Sequence, residues 1–98
     1  MADKDQVIQD FINYMGGTPD SNWYVGITSD PKKRLFNNHN VSEHTGKWIH
    51  GDAGSESIAR EIEEYFLNLG ADGGGGGGDG SSRYVYAYRK TSTTNEDN

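Results

Sequence analysis

Apolar positions recur along this chain with two periods, and the switches between them mark its elements. Val7, Ile8, Phe11, Ile12 and Met15 fall three and four residues apart, the spacing that lines one side of a helix. The pattern predicts a helix over residues 3–15, with Asp3 and Asp5 at its positive N-terminal end. Gly16-Gly17 stops it, and residues 18–22 read as a turn. Trp23 to Thr28 is aromatic and β-branched and predicts a strand. Gly26 interrupts that strand, marking a bulge or a place where something approaches the backbone closely.

Ser29 or Asp30 can cap a short helix from Pro31 to about Asn38, with Pro31 suited to its first turn. Leu35 and Phe36 can face the core from it. Residues 40–47 form a polar loop. Lys47 to His50 predicts a short strand, ended by Gly51-Asp52-Ala53-Gly54. Ser55 or Ser57 caps the longest helix, Glu56 to Leu69, whose buried stripe is Ile58, Ile62, Tyr65, Phe66 and Leu69 and whose stop is Gly70. Residues 72–82 contain six consecutive glycines. Nothing in that run buries apolar area and every glycine loses much entropy on ordering, so it reads as a flexible loop. A phosphate cradle would need a Gly-Lys-Ser or Gly-Lys-Thr ending, which is missing. Arg83 to Arg89 alternates, with Tyr84, Tyr86 and Tyr88 on one face and Val85 and Ala87 on the other, and predicts a strand. Thr91 to Asn98 is polar and reads as a disordered tail.

Helix, strand, helix, short strand, helix, glycine loop, strand is the order of an α+β domain over residues 1–90. Its sheet has two to three strands (Trp23–Thr28, Lys47–His50, Tyr84–Arg89), packed with three helices. Tyr84–Arg89 is expected to pair with Trp23–Thr28, since a core this small needs both strands together. At 98 residues, with 32% hydrophobic residues, the chain supports one modest core. There is no cysteine, which excludes disulfides and thiolate metal sites and fits a reducing compartment. No segment has the length and apolarity to span a bilayer, and no signal-peptide pattern opens the sequence. The expected setting is cytoplasmic, without a membrane partner.

A net charge of −6 weighs against a broad nucleic-acid surface. Lys32, Lys33 and Arg34 form the one run of three cations. His39, His44 and His50, with Glu43 and Asp52, invite comparison with a zinc site, but their spacings do not place two ligands on one helical face. No local motif supports a Ser-His-Asp arrangement. Trp23, Trp48 and the tyrosines could stack on bases, although small domains use such residues for core first.

Tyr24-Val25-Gly26, followed by Asp30-Pro31-Lys32-Lys33-Arg34-Leu35 and a downstream His39, resembles the second half of the GIY-YIG nuclease signature. Ala59-Arg60-Glu61-Ile62-Glu63 resembles the family's later helix. The resemblance covers about half the chain. The family's Gly-Ile-Tyr strand has no counterpart before Trp23, and Val85-Tyr86-Ala87 resembles it from the other end of the sequence, as a circular permutation would. The resemblance implies a GIY-YIG-like fold and metal-dependent cleavage of DNA phosphodiesters. It assigns Glu63 to hold Mg²⁺ or Mn²⁺, Arg34 to grip the phosphate, Tyr24 to position phosphate or water and His39 to support the site. Gly26, Lys32 and Lys33 would meet the substrate, and Tyr86 or Tyr88 would stand in for the family's tyrosine base.

Each of these residues also has a plainer reading. Tyr24 could be a core tyrosine, Arg34 a surface arginine near Asp30, and Glu63 part of a solvated face with Glu61 and Glu64. Two functions follow: a metal-dependent DNA endonuclease, or an inactive interaction module with an acidic surface for a protein partner. An enzyme requires Tyr24, Arg34 and Glu63 to converge.

Overall fold

The computed structural model describes residues 4–73 and 82–96. The glycine run expected as a loop lies, from residue 74 to 81, outside the described residues. Helix α1 (Lys4–Met15) is followed by strand β1 (Trp23–Thr28), a π-helical segment (Lys33–Asn38), strand β2 (Trp48–Asp52), helix α2 (Glu56–Leu69) and strand β3 (Tyr84–Arg89). The fold is α+β. Among the described residues the strands form an antiparallel sheet in the order β1-β3-β2.

The last strand is therefore central. It pairs with β1 in the register Tyr24↔Tyr88, Gly26↔Tyr86, Thr28↔Tyr84, the pairing expected of a core that needs both strands. On its other side it pairs with β2 through Trp48↔Tyr88, His50↔Tyr86 and Asp52↔Tyr84. β2 runs two residues further than its pattern suggests. Gly51 does not end it; it pairs with Val85 beneath Val7 and Phe11 of α1, which lie at ordinary van der Waals distance from a Cβ there. Asp52 is held by Arg83 at 2.9 Å.

Period two then sorts the sheet into two faces. One carries Val25, Ile27, Val85 and Ala87 and is covered by α1 and α2 through Val7, Phe11, Ala59, Ile62 and Phe66. Ser55 caps α2 by accepting from the Ile58 N–H, and Gly70 ends it at φ 121°, a torsion that glycine takes without a Cβ penalty. The opposite face carries Tyr24, Tyr86 and Tyr88, which cluster with Leu35, Val41, Phe36 and Trp48. Both faces of β3 are thus buried. Tyr86 and Tyr88 are 1% and 0% exposed.

The register explains Gly26. A Cβ there would lie 2.5 Å from the Tyr86 hydroxyl oxygen, so the phenol folds across the strand into space that only glycine leaves. Gly26 is not at positive φ; it is needed for room, not for torsion.

From Thr91 to Glu96 the described residues hydrogen-bond back to the domain. Asn95 N–H donates to the His39 carbonyl at 2.7 Å, and the Asn40 side-chain amide donates to the Thr93 carbonyl at 2.9 Å. Local composition could not report these long-range bonds. Residues 97–98 lie outside the described residues.

Gly26→Ala is expected to destabilise the domain by about 1–3 kcal/mol through overpacking against Tyr86, read as a lower urea midpoint. Restored stability in Gly26→Ala/Tyr86→Leu would identify the phenol as the cause; an unchanged midpoint in Gly26→Ala would refute the packing account.

Candidate functional site

The site begins at the end of β1. Thr28 Oγ1 accepts from the Asp30 N–H at 3.0 Å, and Asp30 Oδ1 in turn accepts from the Lys33 N–H at 3.2 Å. Of the two capping residues the sequence offers, Asp30 is the one used. Arg34 N–H still bonds to the Asp30 carbonyl at 3.1 Å, as in an α-helix, but His39 N–H bonds to the Arg34 carbonyl at 2.9 Å. That widened winding differs from the α-helix the pattern suggests and has a consequence for side chains. At 3.6 residues per turn, residues five apart lie about 140° apart around the axis. An i→i+5 turn returns residue 39 to nearly the side of residue 34. Asn40 then takes φ 57°, a left-handed torsion asparagine tolerates, and the chain turns so that Val41 enters the core.

Arg34 and His39 consequently both act on Tyr86. The Tyr86 hydroxyl lies 2.9 Å from His39 Nε2, and the Arg34 charge acts on the phenol. Burial pushes the Tyr86 phenol up to about 12; Arg34 opposes the rise, while Tyr24 and Glu63 add to it. At neutral pH a group with that pKa is ionised in about one molecule in 10⁵, so the resting form is the phenol.

His39 is fully buried. Its ring packs at 4.9 Å from Tyr24, 5.6 Å from Tyr86 and 5.0 Å from Tyr88, and Tyr24 stacks on Tyr88 at 5.3 Å. Nδ1 donates to the Asn95 carbonyl at 2.7 Å and lies 3.1 Å from the Tyr88 hydroxyl, which donates to Glu96 Oε2 at 3.0 Å. Burial lowers the His39 pKa, with the Asn95 carbonyl opposing and Arg34 assisting. Burial and the Glu96 carboxylate push the Tyr88 phenol well above the ordinary range.

Above this cluster lies an open, polar cleft of about 420 Å³ lined by Thr28, Ser29, Asp30, Lys33, Arg34 and Asn38. The structure thus brings Tyr24, Arg34 and His39 together around Tyr86, with Lys33 in the cleft wall. Glu63 does not line the cleft, so the convergence of Tyr24, Arg34 and Glu63 expected of an enzyme is not met there. It is buried beside Ala59, Ile62 and Phe66 on α2 and reaches Tyr86 by charge alone. Burial raises its pKa, Arg60 opposes and Glu64 adds to the rise. Gly26 is covered by the Tyr86 ring, so its contribution is indirect. Lys32 is exposed and acts on His50, away from the cleft lining. Trp48 stacks on His50 at 5.8 Å and meets Phe36 edge-on at 5.1 Å.

Asn38 in the cleft wall and the Asn95-Glu96 anchor are contributions that sequence reasoning missed. Asn38 follows the local pattern; the anchor carries no local signal. Among the described residues no group of three or more His, Asp and Glu side chains gathers in metal-ligating geometry. Among the described residues no helix is long and apolar enough to cross a membrane. No protein-family model, characterised protein or solved structure matches the chain.

The two buried titrating groups oppose each other. His39, with its folded pKa below 6.5, binds protons more readily in the unfolded chain, so its contribution to stability is lost as pH falls below 6.5. Glu63, with its folded pKa above 4.5, binds protons more readily when folded, so stability falls as pH rises through its raised pKa. In Glu63→Gln the second effect is gone, and the urea midpoint should climb more steeply from pH 5 to 7 than in the parent. Parallel pH profiles of the two proteins would contradict the assignment.

Proposed function

We propose that the chain is a GIY-YIG-like domain that binds a nucleic-acid phosphodiester in the Arg34 cleft and cleaves it with the help of a divalent ion. One observation carries this reading: Arg34 and Lys33 line one polar cleft, and the Arg34 charge acts on the Tyr86 phenol that His39 holds at 2.9 Å. A planar guanidinium grips two phosphate oxygens at once, as lysine cannot, and Lys33 adds a second positive charge as negative charge develops on the phosphoryl oxygens. Tyr86, as a neutral phenol, holds the attacking water by hydrogen bonding. Tyr24 packs on His39 and Tyr88 and keeps the rings in place.

On this reading Glu63 is the residue that would hold the ion, from outside the cleft lining. It is a buried carboxyl whose charged form is disfavoured by burial, a cost that a neighbouring cation offsets. One carboxylate suits Mg²⁺ or Mn²⁺, which keep several waters and complete their shell with substrate phosphates. When bound, such an ion supplies Lewis-acid stabilisation of the leaving oxygen. The lack of cysteine supports a cytoplasmic setting.

The enclosure of Tyr86 and the net charge of −6 favour a second reading, an interaction module on the same fold that takes a protein partner. Cleavage separates the two. With short DNA duplexes and Mn²⁺ the parent chain should nick phosphodiesters. Arg34→Ala should lower the rate by about 10²–10³, the usual cost of removing one charge-stabilising donor, and Arg34→Lys should recover only part of it. No cleavage by the parent, or full activity in Arg34→Ala, would overturn the enzyme reading.

A further inference from the structure

The chain beyond β3 reaches the buried cluster at four points. Asn95 N–H donates to the His39 carbonyl, and His39 Nδ1–H donates to the Asn95 carbonyl, both at 2.7 Å. The Asn40 amide donates to Thr93, and Tyr88 donates to Glu96. The first two bonds form a reciprocal pair that fixes both backbone and ring of one residue. We infer that the Thr93–Glu96 segment is a positioning strap that selects the Nδ1–H tautomer of His39 and thereby decides which way the Tyr86 hydroxyl points.

A backbone carbonyl only accepts, so the ring nitrogen at 2.7 Å from Asn95 O must carry hydrogen. A buried neutral imidazole carries one hydrogen, which leaves Nε2 bare. The Tyr86 hydroxyl at 2.9 Å from Nε2 therefore donates to it. Its oxygen lone pairs then remain as acceptors within reach of the Arg34 charge. With the other tautomer, Nε2–H would donate to Tyr86, and the phenol would turn its own hydrogen elsewhere. A histidine's ring chemistry is set by the bond its other nitrogen makes; here that bond comes from a segment remote in sequence. Glu96 contributes by taking the Tyr88 hydrogen, which leaves the Tyr88 oxygen free to share Nδ1–H at 3.1 Å. The strap is a matter of structure; its catalytic meaning rests on the phosphodiester reading above.

The test is a long-range ¹⁵N NMR correlation of the histidine ring nitrogens in the full chain near pH 7, with no substrate. Parent His39 should show a protonated, pyrrole-like Nδ1 and an unprotonated, pyridine-like Nε2. Asn95→Pro removes the N–H that anchors the strap, and should shift both ring nitrogens toward averaged values while the β-sheet amide pattern persists. Glu96→Gln, which keeps an acceptor but loses its charge, should retain the parent signature. A protonated Nε2 in the parent overturns the inference, whether or not the variants fold. Ring shifts unchanged in folded Asn95→Pro overturn the role of the strap. Neither result depends on DNA cleavage, so failure of the strap and failure of the nuclease reading are separable.

Discussion

The structure depends on the Tyr86 phenol crossing the backbone of Gly26. A Cβ on residue 26 would lie 2.5 Å from the hydroxyl oxygen, so the missing side chain lets a large polar aromatic group occupy the space between β1 and the π-helical segment. The register of β1 and β3 puts the two residues opposite one another, and a slip of one position would move every tyrosine of β3 to the other face. Sheet register, aromatic packing and placement of the site are consequently one constraint.

Burying a hydroxyl and an imidazole is costly unless both are satisfied. Here the demand is met by elements far apart in sequence: His39 from the end of the π-helical segment, Asn95 and Glu96 from beyond β3. No buried side-chain polar atom among the described residues lacks a partner. A fully satisfied polar network of this kind specifies one arrangement of the core, because any alternative strands one of its members. Glu63 joins the network only by charge, from the helix packed on the other face of the sheet.

Much of the fold was legible in local pattern. The stripe of Val7, Phe11 and Ile12, the alternation of Tyr84 to Tyr88 and the stop at Gly70 each report a nearby physical requirement, and the structure meets each of them. The pairing of β3 with β1 followed from the need of a small core for both strands. The π winding was not legible, because no residue between Lys33 and Asn38 is unusual in an α-helix; the widening appears only in the bond from His39 to Arg34. The extension of β2 through Gly51 was hidden because a glycine followed by Asp52 reads locally as a turn. The sequence flagged a close approach at Gly26 but could not say that the approaching group was Tyr86. The anchoring of residues 93–96 was invisible, since polar composition describes a segment by what it lacks and not by what it meets.

The central claim is that charge and hydrogen bonding gather at Tyr86 so that a phosphodiester and a divalent ion can be held beside it. The most direct measurement is an amide NMR titration with Mn²⁺, with and without a short DNA duplex, on the parent and on Glu63→Ala. The account predicts that paramagnetic broadening appears first around Glu63, Arg34 and Tyr86, is strengthened by DNA and is lost in Glu63→Ala. Broadening that begins at the acidic residues of α1 and is unchanged in Glu63→Ala would contradict it.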